Sequence, residues 1–155
     1  MNRILILLIA AMLLFSATAC SEKKLPAIAA TKSKNMLTVL RELDETYQKK
    51  DLAGFMAQVA PLYPDREALS TSIATVFSKY ETISLNIQYT KMLIMIEEKG
   101  KIRTTFNWDG AWHKTGGDVA KDGGRVTLIF APGDFKLIAI EGKNPFIHFE
   151  NTVKQ

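Results

Sequence analysis

An α+β fold, with helices segregated to one face of an antiparallel sheet, is what this sequence predicts. Three observations carry it. Apolar residues recur at helical spacing as far as Tyr80, the period then switches to two, and the later apolar runs are separated by short turns rich in Gly, Pro and Asp.

The helices come first. Met36, Leu40, Leu43 and Tyr47 fall on one side of a helix, widened by Leu37 and Val39, with Arg41, Glu42, Asp44 and Glu45 opposite. Asp51 is placed to cap a short second helix whose Leu52, Phe55, Met56 and Val59 share a side. Pro61 and Pro64 punctuate the connection, and Asp65 is placed to cap a third helix with the stripe Leu69, Ile73, Val76, Phe77 and Tyr80.

About four long strands follow. Ile83, Leu85, Ile87 and Tyr89 alternate with polar neighbours, and the parity slips near Thr90-Lys91, since Met92, Ile94 and Ile96 continue on the other phase. A slip of one residue turns every side chain to the opposite face, so a bulge or bend is expected there. After the turn at residues 97–101, a second strand carries Ile102, Thr104, Phe106, Trp108 and Trp112 on one face and Arg103, Thr105, Asn107, Asp109, Ala111 and His113 on the other. Residues 115–118 turn the chain again. A third strand ends in Val126–Phe130, and Ala131-Pro132-Gly133-Asp134 returns it as Phe135–Ile140.

The N-terminus has another character. Arg3 precedes an apolar run from Ile4 to Phe15, then the small residues Ser16-Ala17-Thr18-Ala19, then Cys20, the single cysteine. This is the layout of a secretory signal with its cleavage site. The apolar run is about a dozen residues, short of the roughly 20 that span a bilayer. Ala17-Thr18-Ala19-Cys20 resembles the lipobox of bacterial lipoproteins, with Ala17 where leucine is more common. The resemblance implies a signal peptide over 1–19, acylation of Cys20 with palmitate among the chains, and a cell-envelope location. Ser21 after the cysteine implies outer-membrane delivery, facing the periplasm, in a diderm source. Residues 20–34 read as the lipidated cysteine and a flexible tether broken by Pro26, and 35–150 as one domain. The alternatives are a secreted protein with a stray thiol and an uncleaved anchor. With Cys20 lipidated no disulfide is available, so packing alone holds the domain.

The domain has a family likeness. Phe135–Phe146, Arg125–Phe130 and the helix end Tyr47-Gln48-Lys49-Lys50-Asp51-Leu52 resemble bacterial proteins with the nuclear transport factor 2-like cone fold. The likeness covers roughly Leu37 to Phe146. It implies N-terminal helices packed in a strongly curved antiparallel sheet, with a conical cavity open at one end. It does not assign chemistry, because this fold hosts isomerases, dehydratases, cyclases, transport factors and plain binding modules.

Two groups of residues are candidates for function. Enzymatic relatives of this fold use an acid, or an acid with histidine, inside the cone, and the residues available here are Asp109 and His113. Against that role, the opposite face of their strand holds Phe106, Trp108 and Trp112, which sends them outward. The aromatic set Phe106, Trp108 and Trp112, with Tyr47 and Tyr80, either packs the core or lines the cone for a small apolar ligand. The expected function is a lipid-anchored envelope domain that binds a small apolar ligand or a protein partner without catalysis; the alternative is an isomerase- or dehydratase-like enzyme using Asp109 and His113.

Other classes find no support. The formal charge is +4, but the lysines are scattered over the tether, helix ends and turns, without the Arg–aromatic interleaving of a nucleic-acid surface. Two histidines without acids or cysteines at ligand spacing do not suggest a metal, and no phosphate loop or nucleophile elbow accompanies the glycines. No cofactor is expected. The last two strands read as apolar on both faces, and Ile129, Ile138 and Ile140 are expected on an outer face covered by a second copy of the chain or by the tail around Phe146, Ile147 and Phe149. Relatives often dimerise through that sheet, so the partners expected are the membrane, a second copy and an apolar ligand.

Overall fold

The computed structural model describes residues 24–148, with side chains from residue 34 onward and at Thr31. The signal segment, Cys20 and Phe149 lie outside the described residues. Contacts divide the chain at Asn35–Met36. In the first unit the described part is helix. The second unit, from Met36, contains the rest of that helix, the two later helices and the whole sheet.

Helix α1 spans Lys24–Gln48, α2 Leu52–Ala57 and α3 Arg66–Lys79. The start of α1 falls within the stretch read as a tether. Pro26 sits in its first turn, where backbone N–H groups have no intrahelical acceptor, so the ring costs little there. From Met36 onward the stripe is as the period requires, with Met36, Leu40, Leu43 and Tyr47 all buried. Asp51 caps α2 by accepting from the Gly54 N–H at 2.8 Å. Asp65 occupies the cap position of α3 but adopts a left-handed conformation (φ 52°) and makes no side-chain cap bond. Leu69, Ile73, Val76, Phe77 and Tyr80 are buried as the spacing predicts.

The sheet has five strands: β1 Thr82–Ile87, β2 Leu93–Ile96, β3 Ile102–His113, β4 Val119–Phe130 and β5 Leu137–Gly142. All neighbours are antiparallel, in the order β1-β3-β4-β5, with β2 also on β3. The one long first strand expected from the sequence is two. A 3₁₀ turn at Tyr89–Lys91 interrupts it at the position of the parity slip. Both pieces pair with β3, β1 along Trp108–His113 and β2 along Ile102–Thr105.

β3 alternates as predicted. Ile102, Thr104, Phe106, Trp108, Gly110 and Trp112 are buried, while Asn107, Asp109 and His113 are exposed. β4 begins seven residues earlier than the apolar run Val126–Phe130 suggests, since its ladder with β3 continues from Ile102↔Phe130 to His113↔Val119.

The expected outer face of Ile129, Ile138 and Ile140 does not form. A register shift between Ile129 and Phe130 places Phe130 opposite Leu137 but Ile129 opposite Ala139, which leaves Ile138 as the extra residue of a bulge. Ile140 then pairs with the fully buried Leu128 and packs against the core. Only Ile129 stays on the outer face, where it is almost fully covered. That face is otherwise joined by polar pairs. Arg103 bridges Glu141 and Glu97, the Thr105 and Thr127 hydroxyls meet at 2.8 Å, and Asn86 donates to Asp109 at 3.1 Å.

Candidate functional site

The helices and the inner sheet face enclose a cluster of rings. Tyr47 lies 5.2 Å from Phe146, 5.4 Å from Phe77 and 6.1 Å from Phe55, centroid to centroid, in tilted and edge-on arrangements of the kind aromatic quadrupoles favour. Phe55 meets Phe146 edge-on at 4.9 Å. Trp112 donates its indole N–H to the Tyr47 hydroxyl at 3.1 Å, and its ring stands edge-on to Trp108 and stacks on His148 at 4.6 Å. Burial pushes the Tyr47 phenol well above its ordinary value, outweighing the Trp112 donor. Its hydroxyl stays neutral at any physiological pH. The Tyr80 hydroxyl is buried with no hydrogen-bond partner among the described residues.

Phe106, Trp108, Trp112, Tyr47 and Tyr80 are thus brought together, all inward and nearly inaccessible. Asp109 and His113 are not. They lie exposed on the outer face, four residues and so about 13 Å apart along the strand, and Asp109 is occupied by Asn86. They line no part of the cone.

The inner sheet face carries one carboxylate among the described strands, Asp122 on β4, opposite Gly110. Two glycines make room around it. A Cβ at Gly110 would fall 2.6 Å from the Trp112 ring, and one at Gly124 would fall 2.8 Å from the Lys143 side chain. Lys143 donates to Asp122, its carbonyl accepts from the Trp108 indole at 3.0 Å, and its ammonium lies 6.0 Å from the Trp108 ring centroid. Burial tends to raise the Asp122 pKa. The Lys143 hydrogen bond, the Gly123 N–H and the charges of Lys143 and His148 outweigh it and leave the carboxyl below its ordinary value. The nearest His148–Asp122 approach is 3.9 Å, beyond a hydrogen bond. Asp122 and Lys143 escape a sequence reading that starts β4 at Val126. Carrying the even-numbered inward phase of Val126 and Leu128 back through Gly124 would have found the acid.

An open cleft of about 340 Å³ lies between the start of α3 and the segment 144–147. Tyr63, Pro64, Ala68, Leu69 and Ile147 form its apolar walls, and Asp65, Ser72 and Asn144 supply polar groups. Phe146, between two of these lining residues, points into the ring cluster and is fully buried. The described residues contain no group of three metal-ligating side chains, and none of their helices is long and apolar enough to cross a membrane.

Comparison with known proteins reaches the fold and stops there. No family model and no curated protein matches the chain. Among solved structures, a nuclear transport factor 2-like superfamily protein from Salmonella enterica aligns over 82% of this chain and 99% of its own, at 11% identity and a TM-score of 0.63. Aln2 from Streptomyces aligns over 68% of this chain and 86% of its own, at 15% identity and a TM-score of 0.52. AusH from Aspergillus nidulans aligns over 69% and 81%, at 10% identity and a TM-score of 0.50.

Proposed function

We propose that this chain, which has the nuclear transport factor 2-like fold, is a lipid-anchored, non-catalytic binding module of the cell envelope that holds a small apolar ligand. The anchor rests on the signal-like segment ending in Ala17-Thr18-Ala19-Cys20. The observation that carries the binding reading is the 340 Å³ cleft with apolar walls and three polar groups, the volume and lining of a small-molecule site.

The protonation states of the inward groups support the non-catalytic reading. General acid–base work at neutral pH needs a group poised near 7 in the cavity; Asp44, raised to about 6, lies on α1 beside Gln48 and is not among the residues lining the cleft. The inward carboxylate, Asp122, is held ionised by Lys143, on the far side of the range from a neutral-pH base. The Tyr47 phenol is pushed the other way, too high to ionise. Asp109 and His113, the alternative acid and histidine, face away from the cone.

The test is titration with N-phenyl-1-naphthylamine, an apolar fluorophore that accepts energy from tryptophan. The expected result is saturable energy transfer from Trp108 and Trp112, with affinity lowered about tenfold or more by Ala68→Arg, which fills the cleft from an exposed helical position. Non-saturable uptake, or a titration that Ala68→Arg leaves unchanged, overturns the reading.

A further inference from the structure

The exposed apolar side chains of the domain are unevenly distributed. A row of paired residues, Ile96↔Ile102, Ile102↔Phe130, Phe130↔Leu137 and Leu137↔Val59, marks one rim of the sheet. Beyond it protrude the turn 97–101, the loop 131–136 and the turn in which the Tyr63 N–H bonds to Ala60. The turn and the loop touch, since a Cβ at Gly100 would lie 3.2 Å from Pro132. Leu62, at this rim, is 94% exposed, and Ile96 is 42% exposed. Leu93 and Met95, on the adjoining edge strand, are each about half exposed. At the opposite rim, where Thr82, His113 and Val119 pair, Val119 is the one exposed large apolar residue among those described.

Lysines accompany the apolar residues here, as Lys79, Lys114 and Lys121 do at the opposite rim. Lys99 and Lys101 are exposed in the apolar rim's turn, Lys91 precedes the edge strand, and Lys136, whose ammonium donates to the Ala57 carbonyl, comes from the loop. Glu98 and Asp134 lie there too, while Glu97 is taken by Arg103, so the balance is basic. Within the second unit, Gln48 of α1 bonds the Leu85 carbonyl and the Asp44 charge acts on Tyr89, just before β2.

We infer that this rim is a bilayer-contact surface, on which Leu62, Ile96 and the β2 edge rest among lipid headgroups with the lysines facing anionic phosphates. The inference rests on the lipid anchor proposed above. Fifteen residues lie between Cys20 and Met36, and twelve of them are helical, so the link reaches roughly 30 Å. That short reach keeps the local concentration of bilayer high, and a contact too weak to hold a free domain becomes populated.

The experiment uses the full chain, purified from host membranes and reconstituted in phosphatidylcholine–phosphatidylglycerol vesicles with brominated acyl chains. Leu62→Trp and Ile96→Trp are compared with Val119→Trp at the opposite rim. All three positions are exposed, and native Trp108 and Trp112 give a common buried background. The expected result is severalfold stronger bromine quenching of the added emission at Leu62→Trp and Ile96→Trp than at Val119→Trp. Equal quenching in a chain that floats with the vesicles overturns the rim contact while leaving the anchor intact. A chain that does not float overturns both.

Discussion

Along β3, Phe106, Trp108 and Trp112 are buried on the inner face, while Asn107, Asp109 and His113, one residue away in each case, stand in water. The two faces solve the same problem differently. The inner one buries rings against α1, α2 and the segment around Phe146 and pairs Trp112 with Tyr47, while the Tyr80 and Thr104 hydroxyls are buried without a hydrogen-bond partner among the described residues. The outer one pairs charges and hydroxyls across strands. The difference separates two histidines and two acids by environment. Asp122 and His148 lie on the inner side, partly buried, whereas Asp109 and His113, the more conspicuous pair in the sequence, belong to solvent.

Changes to the inner face should therefore be costly, and changes to the outer face nearly silent. Trp112→Ala removes the donor to Tyr47 and the platform under His148, and is expected to lower stability by about 4 kcal/mol in urea denaturation. A loss below about 1 kcal/mol would mean that the ring cluster is not the core.

The flank of α1 is intermediate. The Asp44 carboxyl is raised to about 6, chiefly by burial, against the Gln48 amide that donates to it and with Glu45 adding to the rise. A carboxyl whose pKa is higher in the folded than in the unfolded state favours folding while protonated, and that contribution is lost as pH rises from about 4 through 6. Asp44→Asn should accordingly raise the thermal midpoint by about 4 °C, or about 1 kcal/mol after allowing for its partial exposure, near neutral pH. The gain should vanish near pH 4. Equal shifts at both pH values would break the argument from burial.

Asp109→Ala and His113→Ala should each change stability by less than about 0.5 kcal/mol and leave naphthylamine binding unaltered. A loss of binding in either would restore the outer pair to function and erase the contrast between the faces.

How much of this was legible in the sequence depends on the range of the interaction. The stripe Met36, Leu40, Leu43 and Tyr47 and the alternation of β3 are local patterns, and both packed as read. The start of β4 was hidden because Lys121-Asp122-Gly123-Gly124 looks like a turn, yet the long ladder with β3 holds it extended. The bulge at Ile138 is set by pairing with β4 and by the bridge from Leu137 to Val59, neither visible from within β5, so Ile140 was assigned to the wrong face. Although none of them lines the cleft, that Phe106, Trp108 and Trp112 face inward followed from parity alone. Asp122, Lys143 and His148 did not, since residues 21 and 26 positions apart meet there only through the fold.

The central claim, a domain held to the envelope by lipid on Cys20, is tested most directly by detergent partitioning and intact mass of the wild-type chain and Cys20→Ala expressed in the native host. The account predicts that the wild type enters the detergent phase with an acyl mass on an N-terminal Cys20, and that Cys20→Ala stays in the aqueous phase or retains its uncleaved leader. A wild type without acyl mass, whose membrane association is the same as that of Cys20→Ala, would contradict it.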